Sequence, residues 1–340
     1  MDHRSNAVRI AGALATLFLI SACSDRAPNP VAPSPDQSAS FNSAVSQQEV
    51  LSNAIIHRTV PGQAQARSQG AGHGRGGAGN NLAYRGGVGG IGVETAPKVY
   101  LVLWGSQWNS NDPSSESALL QSFLGDVGGS SWLNSVTQYC QGVPTGTVVC
   151  SGGQAAGNPN TLYAGVWSDN SLAPSKPTQS QLAAEAVSAA QHFGNTSSSQ
   201  NANAQYVIAT AHGNSSSGFG TQYCAYHSYT SSTYGNVAYT NLPYITDAGP
   251  SCGADYNGLG ANAGITIVEG HELAETISDQ FPSGGWLDGS GAENGDKCAW
   301  ISSGQGASAS VSIGGTRYPV QSLWSNAFNS GAGGCVQSYP

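Results

Sequence analysis

The residues with the clearest chemical potential stand in one short run, His271-Glu272-Leu273-Ala274-Glu275. On a helix, side chains four apart share a face, so His271 and Glu275 project together and can hold one metal ion. Glu272, next to the first ligand, can reach a water activated by that ion and take its proton. This is the arrangement of the His-Glu-x-x-His zinc helix with its general base. Here Glu275 stands where the second histidine would be, and a glutamate remains an accepted zinc ligand. The competing reading is an ordinary helix, because Glu, Leu and Ala all favour helix.

A third ligand must come from elsewhere. Asp279 continues the i+4 series, but at the helical rise it lies about 12 Å along the axis from His271. It reads instead as a supporting residue, a helix-end residue or a partner for another cation. Glu293 follows Glu275 at a separation like that of zinc peptidases whose third ligand is a downstream glutamate, and Asp296 is close behind. Glu293 is the favoured third ligand and Asp296 the second choice, with Cys298 placed to pin their loop. Asp288, in Asp-Gly-Ser-Gly, reads as a turn residue. His227, in an aromatic, Cys-flanked segment, is a candidate for stabilising an oxyanion or for metal ligation, against a purely structural role. His212 and His192 read as bystanders, His192 at a helix end.

The charge distribution supports a cation site. Only 9% of the 340 residues are charged and the net charge is −8, while glycine contributes 46 residues. Past residue 97 there are four basic residues, Lys98, Lys176, Lys297 and Arg317, against 14 acidic ones. Seven of those acids fall within residues 269–296, and no Lys or Arg lies between Lys176 and Lys297. Buried carboxylates without counter-charge are costly or must protonate, and a bound metal ion removes the difficulty. The acidic balance disfavours nucleic-acid binding, which needs a basic surface. No apolar run reaches the roughly 18–20 residues that span a bilayer.

The elements that must position these residues begin well inside the chain. Arg4 and Arg9 precede an apolar stretch over residues 10–20, an export-signal pattern. It ends in Ile20-Ser21-Ala22-Cys23, which resembles a bacterial lipobox. That resemblance implies a signal peptide over residues 1–22 and lipidation of Cys23. An ordinary signal peptide cut nearby is the alternative. Residues 23–80, Pro-rich then Gly-rich, read as a disordered tether or pro-segment. Six cysteines remain, Cys140, Cys150, Cys224, Cys252, Cys298 and Cys335, an even number that reads as a disulfide framework in an exported chain. Pairing of sequence neighbours is the simplest arrangement.

Residues 81–340 form the expected domain. The apolar run over residues 99–105 suits a buried strand, with further strands over 161–167 and 206–210. A helix is expected over 181–190, started by Pro177-Thr178, and shorter helices over 114–124 and 131–139. The motif helix follows Gly264, with Ile265, Val268, Ala274 and Ile277 for packing. Residues 311–323 read as strand with a Gly314-Gly315 turn. The expected class is α/β or α+β: one zincin-like domain with a mixed sheet, an active-site helix and an irregular β-rich C-terminal part.

Several blocks carry a wider resemblance. Gly270-His271-Glu272-Leu273-Ala274-Glu275-Thr276-Ile277-Ser278-Asp279, Gly285-Trp286-Leu287-Asp288, Glu293-Asn294-Gly295-Asp296-Lys297-Cys298, Gln321-Ser322-Leu323-Trp324-Ser325-Asn326 and Cys224-Ala225-Tyr226-His227-Ser228 resemble a family of exported bacterial proteins labelled zinc metallopeptidases. The likeness spans roughly residues 81–340. It is also distantly similar to the plant phosphate-induced (EXORDIUM) cell-wall proteins. The resemblance implies a metal-dependent peptidase in the bacterial cell envelope, lipid-anchored or secreted, monomeric and acting on peptide or protein. In it His271, Glu275 and Glu293 would bind Zn2+ and Glu272 would be the general base. Carboxylate-rich ligation also leaves Ca2+ or Mn2+ open. The alternative function is a non-enzymatic cell-surface binding domain with a structural Ca2+ site.

Overall fold

The computed structural model describes residues 80–338. The signal segment, Cys23, nearly all of the tether and the last two residues lie outside the described residues.

A five-stranded mixed sheet forms the centre, in the order β5-β2-β6-β8-β7. Its strands are β2 (Lys98–Trp104), β5 (Tyr163–Asp169), β6 (Ala204–Thr210), β7 (Tyr226–Ser232) and β8 (Gly235–Leu242). β2, β5, β6 and β8 run parallel, whereas β7 returns antiparallel at the edge beside β8. The central strands are near-continuous apolar runs because both faces are covered. Val99, Leu101 and Leu103 of β2 face one core, and Tyr100, Val102 and Trp104 face the other.

Each face has its own helices. On the second face lies α2 (Gln179–His192), which buries Leu182, Ala183, Ala186, Ala189 and Ala190. It begins as the Thr178 position suggests: the Thr178 side chain accepts from Gln181 N, and Gln181 answers the Thr178 N–H at 2.9 Å. That reciprocal cap satisfies two otherwise unpaired donors of the first turn. On the first face lie α1 (Glu116–Val127) and α3 (Ala263–Ser278). Every residue of α3 is buried, as a helix enclosed on all sides requires.

The C-terminal part closes over α3. The hairpin of β10 (Ala309–Ile313) and β11 (Thr316–Val320) turns at Gly314-Gly315, both with positive φ. Thr266 Oγ1 of α3 donates to Pro319 O at 2.5 Å. Short ladders complete the shell: β1 (Ala83–Tyr84) with β9 (Trp286–Leu287), β3 (Cys140–Gln141) with β4 (Gln154–Ala155), and β12 (Leu323–Ser325) with β13 (Gly334–Val336). The class is α+β, with a mixed sheet, a buried motif helix and a β-rich C-terminal part. The expected strands and helices form with boundaries shifted by a few residues, and residues 133–138 form a 3-10 helix. The hairpin of β7 and β8 lies beyond the expected strands, although its Tyr, Thr and Ser run before Gly235 carries a strand signal.

Three disulfides join sequence neighbours: Cys140–Cys150, Cys224–Cys252 and Cys298–Cys335. They fit an exported protein matured in an oxidising compartment. Among the described residues, no helix is long and apolar enough to cross a membrane.

Candidate metal centre

Helix α3 presents His271 and Glu275 on one face, with His271 Nε2 2.9 Å from Glu275 Oε1. Gly270 lets this helix pack tightly, since a Cβ there would sit 3.0 Å from the Trp132 ring and 3.3 Å from Phe123. The chain then reverses around Asp279, whose carboxylate accepts from the backbone N–H groups of Ser283, Gly284 and Gly285. Asp279 takes the helix-end role and also the supporting one, through a side-chain hydrogen bond with Glu293, and it does not join His271.

The return segment is pinned by Asp288, which accepts from Ser290 N and Ala292 N and pairs with Lys297 Nζ at 2.8 Å. The turn reading of Asp288 therefore stands. Lys297, the basic residue nearest the cluster in sequence, is spent on that pair and lies over the Trp324 ring. The following loop carries Glu293 and Asp296 back to α3, and Cys298–Cys335 closes it. Asp296 N donates to Glu275 Oε1 at 2.8 Å, and Asn294 Nδ2 donates to Ala274 O at 3.2 Å.

The loop delivers two acids to two different histidines. Asp296 Oδ1 is 3.8 Å from His271 Nε2. Glu293 Oε2 is 3.0 Å from Nε2 of His227, which projects from the edge strand β7. Glu275 Oε2 also faces His227, at 3.7 Å. Candidate ligand atoms therefore fall into two groups, each within 4.8 Å: His271, Glu275 and Asp296, and His227, Glu272 and Glu275. In the first group Asp296 takes the place expected for Glu293, and Glu293 lies against His227 instead.

Sequence reasoning assigned no role to Gln321. Its Oε1 lies 3.1 Å from His271 Nδ1, and an amide oxygen can only accept, so Nδ1 carries the proton. That tautomer leaves the Nε2 lone pair directed at Glu275 and Asp296. Gln321 Nε2 donates in turn to Gly295 O at 2.8 Å, so one amide orients both the ring and the loop. A neutral Gln carries no charge signal in a sequence. Its position in the Gln321–Asn326 block was the only cue.

The electrostatics of the cluster are set by burial and by the crowding of its acids. Burial pushes His227 down to about 3 and His271 down to about 4, so both rings are neutral, the form that binds metal. Burial, then repulsion from Glu275, pushes Asp296 up to about 8. Glu272, Glu275 and Glu293 are raised well above the usual carboxylate range by burial, with repulsion from their acidic neighbours adding to it. Asp279 is raised to about 7 by burial, opposed by its backbone donors. A carboxylate cluster of this kind ionises readily only with added positive charge.

The residues present fit a divalent ion. His271 Nε2, Glu275 Oε2, Glu293 Oε1 and both Glu272 oxygens are buried without a well-aligned hydrogen bond, with the His227 backbone N–H near Glu272 and Glu293 near Glu275. The 2.9 Å approach of His271 Nε2 to Glu275 is not aligned as a hydrogen bond, so these are acceptor atoms facing one another. Acceptors with no donor between them are what metal–ligand bonds of about 2.0–2.2 Å would satisfy. Elsewhere, His212 pairs with Asp247, and His192 stacks on Trp167 with ring centroids 4.4 Å apart. Neither reaches this cluster. Glu269, one turn before Glu272 and equally buried, also lacks a partner on both oxygens. No family model, curated protein or solved structure matches this chain.

Proposed function

We propose that the protein is an extracytoplasmic, divalent-metal-dependent peptidase, with Zn2+ as the expected ion and Ca2+ or Mn2+ as alternatives. One observation carries the reading: the His271, Glu275 and Asp296 ligand atoms converge, and Glu272 stands in an adjoining group with His227 that shares Glu275 with them. A divalent ion held there supplies Lewis-acid activation of water near neutral pH.

The chain's own residues supply the rest. Glu272 accepts the proton of the attacking water and returns it to the leaving amine. Gln321 keeps the His271 ring turned so that Nε2 can ligate. His227, neutral and held against Glu293, is placed to stabilise negative charge developing on a substrate carbonyl or to ligate. Peptide as the substrate class comes from the sequence resemblance. Diacylated Cys23 and the segment that follows it would hold the domain, as a monomer, at a bacterial membrane.

A second reading has its own support. His227, His271, Glu272, Glu275 and Glu293 are all 0% exposed, and closed sites are characteristic of structural ions. On that reading an oxygen-rich cage holds Ca2+ in a cell-surface binding domain. Glu272→Gln separates the two. The peptidase reading expects retained metal and fold with casein or peptide hydrolysis lowered by about 10²–10⁴-fold. Wild-type protein that is metal-loaded yet hydrolyses no peptide favours the structural ion.

A further inference from the structure

The acidic residues around α3 outnumber what one ion would engage, and their arrangement has two foci. Glu275 is the residue common to both. Its Oε1 lies 2.9 Å from Nε2 of His271 and its Oε2 lies 3.7 Å from Nε2 of His227. Each histidine has a second acid from the same loop: Asp296 for His271 at 3.8 Å, and Glu293 for His227 at 3.0 Å. The two histidines fall in different ligand groups, joined through Glu275.

We infer that the centre holds two divalent cations bridged by the Glu275 carboxylate, one on His271 and Asp296 and the other on His227 and Glu293. The inference rests on the metal-centre reading above and extends it from one ion to two.

Three features support this over a single ion. The first is ligand reach. Ligand atoms around one ion at about 2.0–2.2 Å sit roughly 3–4 Å apart, close to the 2.9 and 3.8 Å contacts at His271 and the 3.0 and 3.7 Å contacts at His227. The second is the form of the bridge. A carboxylate whose two oxygens face different histidines is built to join ions at the roughly 3.5–4 Å spacing of two-metal hydrolytic sites. The third is partnering. Glu275 Oε2 and Glu293 Oε1 are completely buried without a well-aligned hydrogen bond. A single ion on His271, Glu275 Oε1 and Asp296 would leave Glu275 Oε2 and Glu293 facing each other with no cation between them.

The two positions would divide the work. Glu272 belongs with His227 and Glu275 in the second ligand group, so the proposed base lies at the second ion. A water between the ions would be within its reach, as in-line hydrolysis by two-metal sites requires. The local charge supports two ions as well. Glu272, Glu275 and Glu293 are buried, Asp296 is partly buried beside them, and Lys297 is committed to Asp288.

The test is metal stoichiometry on the full chain, loaded with Mn2+ or Zn2+ and read by elemental analysis and native mass spectrometry. The expected result is two ions per chain, with a spin-coupled electron paramagnetic resonance signal for Mn2+. His227→Ala and Glu293→Gln should each lower the count to one and abolish the coupling, and Glu275→Gln should weaken both positions. Saturation of the folded wild-type chain at one ion, with an uncoupled Mn2+ spectrum, overturns the two-ion inference and leaves the single-site reading standing. Failure to bind any divalent ion overturns both. Because wild-type stoichiometry decides the matter, a variant that fails to fold does not obscure the outcome.

Discussion

Gly295 approaches His271 so closely that a Cβ on the glycine would sit 2.8 Å from Nδ1 of the ring and 2.9 Å from Glu275 Oε1. Its φ of −77° and ψ of −47° are open to any residue. The glycine is therefore required by space and not by backbone conformation. The loop bearing Glu293 and Asp296 can close on α3 because nothing projects at this point.

Gly295→Ala should therefore leave the backbone conformation allowed but push the loop from the helix. Overpacking of this type costs about 1–3 kcal/mol, and displaced ligands should weaken divalent-metal binding by about tenfold or more. Thermal melts with and without metal check both parts. A variant with wild-type metal affinity would show that the close approach has no bearing on the site.

Gln321→Ala removes the acceptor that fixes the His271 tautomer and the donor that holds Gly295 O. Residues that support a ligand in this way are commonly worth about 10–100-fold in metal affinity. Metal titration against a competing chelator gives the value. An unchanged dissociation constant would mean that the ring is oriented by packing alone.

The Cys298–Cys335 bridge spans 37 residues and closes the ligand loop onto β13. Closing a loop of that length stabilises by about 4 kcal/mol in the chain-entropy account. The Cys298→Ala/Cys335→Ala double variant should lose stability on that order and bind metal more weakly. Chemical denaturation with paired metal titration measures both effects.

Glu94 offers a pH test away from the metal ligands. It is fully buried, with Oε2 accepting from Gln205 Nε2 at 2.8 Å and Oε1 unpartnered. Burial raises its pKa from 4.5 to about 8, against the lowering effect of Gln205. Between those values the folded chain keeps a proton that the unfolded chain has lost. Stability is thus highest below the lower value, falls as pH rises through the window and levels off above it. The slope attributable to this group is about 1.4 kcal/mol per pH unit. Glu94→Gln should remove that share of the slope, as measured by urea unfolding at several pH values. Parallel wild-type and variant curves would contradict it.

Much of the fold was legible in the sequence for identifiable reasons. The apolar run of β2 and the Thr178 cap of α2 are local signals, and local signals survive folding. So do the neighbouring cysteines, which paired as the simplest arrangement suggests. Spacing also marked His271, Glu272 and Glu275, because a helix converts four residues of separation into one face. What spacing could not supply was the partition of the loop acids. Glu293 and Asp296 are three residues apart, and which histidine each meets depends on the turn at Gly295 and on the position of β7. The sequence marks His227 as a candidate, but its placement beside the cluster arises from a strand pairing, β7 with β8, that is non-local to the motif. Gln321 was the least visible, being uncharged and 50 residues from the ring it orients.

The central claim is that the acids and histidines around α3 form a divalent-cation centre. Elemental analysis of the purified full chain, coupled to its melting temperature before and after chelation, tests this most directly. The account predicts tightly bound divalent metal in stoichiometric amount, a melting temperature that drops on chelation and its recovery when metal is restored. A folded chain that carries no divalent metal, and melts identically with chelator and with added Zn2+, Mn2+ or Ca2+, would contradict it.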